Sequence, residues 1–182
     1  PGRFFEDQPD VNDEYQMHVV YTLYKDSKDK EGDINGKLEE LIKLADDWIY
    51  ETTKKANQKS NTMNGEGQRI KWDRREDGKL DISFVRLAVT KKEMKKCDDS
   101  SGSCRNIYGR TIVNSGFNNP KKIYFNFGDF AYGEWPYSGG FPIFSVFAKH
   151  KGDPLKTSEW PYFVLHEALH AMGGIYTCAP NY

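Results

Sequence analysis

The five residues His166-Glu167-Ala168-Leu169-His170 constrain this chain more tightly than any others, because together they make chemical sense only on an α-helix. A helix turns about 100° per residue, so residues four apart share one face at roughly 6 Å. Two imidazoles held this way can bind one Zn²⁺ through neutral nitrogens. The glutamate beside the first is then placed to take a proton from water on the metal. Histidine is scarce, four in 182 residues, and two of the four fall in this pentad. Phe163, Val164, Leu165, Ala168, Leu169 and Met172 supply apolar residues around it. Thr157 or Ser158 can cap the start, Pro161 suits the first turn, and Gly173-Gly174 can end the helix. The bland alternative, a core helix with two satisfied histidines, would bury Glu167 with no cation nearby, which is costly. The spacing therefore predicts His166 and His170 as zinc ligands and Glu167 as the general base.

The rest of the composition excludes more than it assigns. Lys plus Arg number 26 and Asp plus Glu 27, a balance that gives no general argument for nucleic-acid or membrane binding. No apolar run approaches a membrane span. Lys91-Lys92 and Lys95-Lys96 form the one dense basic cluster, diluted by Glu93, Asp98 and Asp99, and read as a solvated helix face or loop. Pro1-Gly2-Arg3-Phe4-Phe5 carries neither an initiator methionine nor a signal-peptide pattern and reads as a processed start. Cys97 and Cys104 flank a short polar loop that a disulfide would clip, which points to an oxidising compartment and a secreted or periplasmic protein. A zinc site through these two cysteines is the weaker alternative. Cys178 has no evident partner.

Along the chain, Gln16 to Tyr24 is β-branched and aromatic and reads as a strand. Glu31-Gly-Asp-Ile-Asn-Gly36 fails as a calcium loop, since Ile42 stands where a bidentate glutamate is needed, and reads as a turn leading into a helix. From about Lys37 to Ala56, Leu38, Leu41, Ile42, Leu44, Ala45, Trp48 and Ile49 keep helical spacing. Residues 68–72 and 80–87 read as strands joined by the Asp- and Gly-rich turn 73–78, and Ile123 to Phe127 as another, the candidate edge for an extended substrate. Phe141 to Ala148 reads as a strand or an inward-packed loop. The aromatic segment 129–140 reads as a surface loop, with a wall of the substrate cleft as the sharper alternative.

Catalytic zinc ordinarily takes three protein ligands and a water. The segment His166-Glu167-x-x-His170-x-x-Gly173, followed by Cys178-Ala-Pro-Asn181, resembles a group of secreted metzincin-like metallopeptidases, whose signature runs H-E-x-x-H-x-x-G-x-x-H. The order strand, long helix, strands, zinc helix is similar to the upper subdomain of those enzymes. The resemblance implies an α+β fold: a twisted mixed sheet of about five strands, backed by a long helix and carrying the active-site helix. It also implies a zinc endopeptidase acting on peptide or protein substrates, with a cleft between two subdomains and a methionine turn under the metal. This chain departs from the pattern at Tyr176, which stands in the place of the third histidine. Tyr176 could itself serve as third ligand or oxyanion stabiliser; other sources are His150, His18, an aspartate, Cys178, or sequence beyond Tyr182. The last would also explain the missing methionine turn, so the expectation is one catalytic domain, 1–182, lacking part of its C-terminal subdomain. Two alternatives stand beside the peptidase: an inactive or truncated metzincin-like binding module, and another zinc hydrolase.

Overall fold

Gln16–Leu23 (β1) is the strand on which everything else is hung. The computed structural model describes residues 2–94, 96, 103–128, 137–139, 144–147 and 159–172. Its chain order is β1, helix α1 (Lys37–Ser60), β2 (Ile82–Arg86), α2 (Lys91–Met94), α3 (Ser103–Asn114), β3 (Lys122–Gly128), β4 (Tyr137–Gly139), β5 (Phe144–Phe147) and α4 (Glu159–Ala171). The molecule is α+β, as the sequence implied. Strands lie in the order β2-β1-β3-β5-β4. The first four neighbours run parallel, with Val19 opposite Ile82 and Phe125, and β4 runs antiparallel to β5. No described helix is long and apolar enough to cross a membrane.

Every residue of β1 is buried, and the period of two sorts them onto two cores. Met17, Val19, Tyr21 and Leu23 face one side, where they share a core with Leu38, Leu41, Ile42 and Ala45 of α1 and with Val164, Leu165 and Ala168 of α4. Val20 and Tyr24 face the other, among Met94, Ile112, Phe117 and Tyr124. The α1 face is narrower than the spacing suggested: Leu44, off the stripe formed by positions 38, 41, 42 and 45, and Trp48, at its border, are exposed. The helix also runs past Ala56 to Ser60, where Asn61 closes it in a left-handed conformation. At its start Gly36, with φ of 81°, makes the sharp turn out of the 31–36 segment.

Two strand expectations change. Residues 68–72 do not form a strand; Trp72 makes a single bridge to Met17, and from Val19 onward the same edge of β1 is taken by β2. Ile123 to Phe127 is no edge, since β3 pairs with β1 on one side and, from Tyr124 to Phe127, with β5 on the other. Helix α3 is an addition that the polar sequence around Cys104 did not announce. The basic cluster at Lys91-Lys92 does begin a short helix, closed by reciprocal hydrogen bonds between Thr90 and Glu93. The Cys97–Cys104 pairing and the 129–136 loop fall outside the described residues or side chains.

Candidate metal and catalytic site

Helix α4 has Pro161 in its first turn, where the missing N–H costs nothing. Val164, Leu165, Ala168 and Ala171 are buried, so one side of the helix is wedged against α1 and the sheet. That packing fixes which residues look elsewhere. His166 and His170 fall on a neighbouring face, one turn apart. Their Nε2 atoms are 3.1 Å from each other and their ring centroids 4.6 Å. Two nitrogens each about 2.1 Å from one Zn²⁺ and 3.1 Å apart subtend roughly 95° at the metal, close to a tetrahedral angle. The pair therefore fits a zinc ion without rearrangement. His166 is 42 % exposed at its side chain, so the open side of the pair faces solvent. Burial, reinforced by the neighbouring His166, lowers the pKa of His170, which favours the neutral imidazole that a metal needs.

Glu167 is the contrasting case. It is 2 % exposed, although it stands between two half-buried neighbours of the metal face. Its Oε1 lies 3.7 Å from His166 Nε2, on the same side as the convergence point of the imidazoles. A carboxylate in that position is shielded from bulk water yet within reach of a molecule held at the histidines.

The candidate third ligands divide by location. His18 lies on β1, at an even position, and so projects to the face opposite α4; Val19, its neighbour, touches the α4 core instead. It cannot join His166 and His170, which corrects its place among the alternatives. Tyr176, Cys178 and His150 lie outside the described residues.

His18 belongs to a second polar cluster that the sequence did not reveal. Its Nδ1 is 2.8 Å from Asp73 Oδ2, and its Nε2 is 3.1 Å from Ser83 Oγ. Ser83 donates its own proton to the Glu6 carbonyl, leaving its oxygen to accept from His18. Both ring nitrogens of His18 are therefore engaged, one by Asp73 and one by Ser83. Lys122 Nζ sits beside it, 2.6 Å from Asp7 Oδ1, 2.5 Å from Asp10 Oδ1 and 2.7 Å from Asp73 Oδ2. Burial works against that ammonium, but the bonds to Asp10, Asp7 and Asp73 leave its pKa raised. Burial likewise pushes the Asp73 carboxyl up, and His18 and Lys122 together outweigh it and hold it below the ordinary carboxylate range. Asp81 is raised by burial, against the opposing influence of His18 and the Gln8 N–H.

Asp7, His18, Asp73 and Asp81 bring ligand-type atoms within 4.8 Å of one another, so the group could hold a metal. Lys122 already supplies a cation to Asp7 and Asp73, and the cluster ties the N-terminal segment to the sheet. No local signal could have found it: its members come from the N-terminal segment, β1, the two sides of the turn between Asp73 and Asp81, and β3, and only the parallel register brings Lys122 opposite Gln16.

No family model and no curated protein sequence matches the chain. Among solved structures it is similar to wild-type OgpA from Akkermansia muciniphila in two crystal forms. The TM-scores are 0.53 and 0.52 at 13 % and 12 % identity, each covering 92 % of this chain and 51 % of that one. A catalytically inactive OgpA in complex with an O-glycopeptide substrate, glycodrosocin, aligns more loosely, with a TM-score of 0.42 at 10 % identity over 66 % of this chain and 33 % of that one. At such identities the likeness is one of fold. The chain spans about half the length of the OgpA structures it matches.

Proposed function

We propose that the chain carries the zinc-binding helix of a metzincin-like metallopeptidase and hydrolyses peptide bonds. The observation that supports this best is the 3.1 Å convergence of His166 and His170 Nε2 beside the buried carboxylate of Glu167. Fold alone would not suffice, since the same fold can host unrelated chemistry. His166 and His170 would hold Zn²⁺, with the third ligand among Tyr176, Cys178, His150, an aspartate and sequence beyond Tyr182. A zinc ion there would lower the pKa of a bound water and polarise the scissile carbonyl. Glu167 takes the proton from the attacking water and delivers it to the leaving amine. The helix itself sets the carboxylate beside the two imidazoles, and burial of Ala168 and Ala171 anchors α4 in the fold. A secreted or periplasmic location with a Cys97–Cys104 disulfide accords with this reading.

A non-catalytic binding module is the second reading, favoured by the presence of only two histidines at the site among the described residues. The experiment that separates the two measures zinc stoichiometry and cleavage of a peptide library by the full chain and by Glu167→Gln. The peptidase reading expects one zinc per chain in both proteins and cleavage only in the first. Zinc binding without cleavage in either would favour the module, and equal cleavage by both would reject Glu167 as the base.

A further inference from the structure

A cavity of about 600 Å³ opens where the N-terminal ends of β1 and β3 meet the C-terminal end of α4. Its floor is made by Met17, Ile49, Ile70 and Ile123, with Ala171 and Met172 forming the wall contributed by the metal helix. Its size is that of a small-molecule pocket. The charge around it is one-sided. Arg69, Lys71 and Lys121 line it, each with a side chain more than a third exposed, and no Asp or Glu is in its lining among the described residues. The carboxylates that pair with these cations, Asp46, Asp47, Glu14 and Asp13, stand outside the cavity. The pairs of Lys71 with Glu14 and of Lys121 with Asp13 are exposed on both sides and contribute little, so a ligand's anionic group can replace them at small cost.

The backbone around the floor narrows the ligand class further. The Gln16 N–H donates to the Lys121 carbonyl, Met17 N–H to Lys71, and Lys122 N–H to Asn119. Those three donors are spent within the protein, and an apolar chain needs none of them. Gln16, buried in the same lining, also has an amide nitrogen without a hydrogen-bond partner among the described residues.

We infer that this cavity binds a small amphiphilic carboxylate, with its alkyl chain on the apolar floor and its carboxylate at Lys71 and Lys121. Binding needs no metal and is independent of the peptidase reading.

The test titrates the full chain with decanoate, with decanol and with a short acidic-apolar peptide by calorimetry, at low and high salt. Decanoate is expected to bind saturably, at least about tenfold tighter than decanol, and to weaken with salt while decanol does not. Lys71→Glu combined with Lys121→Glu should weaken decanoate by about tenfold or more and leave decanol unchanged. The salt comparison on the unmodified chain decides the matter even if the double variant fails to fold. Absence of saturable decanoate binding, equal affinity for decanol, or binding of the peptide in place of decanoate would each overturn the inference.

Discussion

Lys122 Nζ lies 2.7 Å from Asp73 Oδ2, and the two side chains are 1 % and 2 % exposed, on the face of the sheet opposite His166 and His170. A buried pair of this kind is expensive to break from one side, because the surviving charge has no water to turn to.

Asp73→Ala should destabilise the fold by about 1.5–3 kcal/mol, because it removes the carboxylate that Lys122 and His18 share, although Lys122 keeps Asp7 and Asp10. Urea denaturation at neutral pH measures this. The pH dependence has a definite sign. Asp73 is held below its ordinary value, so its stabilisation is present above the unfolded carboxylate pKa and is lost as pH falls through the depressed one. Lys122 is raised, so its share is full below the ordinary lysine value and disappears only as pH climbs through the raised one. Denaturation midpoints measured from pH 3 to 7 should fall on the acid side in the native chain and flatten in Asp73→Asn.

Asp81 behaves in the opposite way. Burial raises its carboxyl, and its Oδ1 has no hydrogen-bond partner among the described residues. The folded state thus prefers the protonated form, and the ionised group costs stability at neutral pH. Asp81→Asn should gain about 1 kcal/mol at pH 7 and lose that advantage as pH drops below the raised value. A lower urea midpoint for the variant at pH 7 would contradict this account.

Zinc should raise the thermal midpoint of the native chain and leave His166→Ala and His170→Ala unmoved, since a ligand stabilises only the state that binds it. Because the pKa of His170 is lowered, a proton competes with the metal at that ring only as pH falls below the ordinary histidine range. Zinc affinity measured by calorimetry should weaken as pH falls below about 6.5, and chelation should return the native midpoint to that of the variants.

Ala168 is fully buried one residue from Glu167. Enlarging it to Leu overpacks the contact between α4 and the sheet and should cost about 1–3 kcal/mol. The displaced helix should also bind zinc more weakly. A destabilised variant with unchanged zinc affinity would show that the histidine pair does not depend on this packing.

Much of the candidate site was legible because it is local. A four-residue spacing sets the distance between His166 and His170 once the segment is helical, and the same holds for the buried stripe of α1 at Leu38, Leu41, Ile42 and Ala45. β1 was equally plain from its run of β-branched and aromatic residues. Beyond that reach, spacing is silent. Whether Ile123 to Phe127 is an edge or an interior strand depends on what pairs with it, and the 68–72 segment lost its place to β2 in a competition along one strand edge.

By itself the sequence determined the helix that brings two imidazoles and a carboxylate together, because backbone geometry repeats every few residues. Only the tertiary structure decided that His18 turns away from that helix, and that Lys122 meets Asp7 across 115 positions of chain. Those outcomes rest on strand register and on which face of the sheet each residue takes, and both are settled by packing between segments distant in sequence.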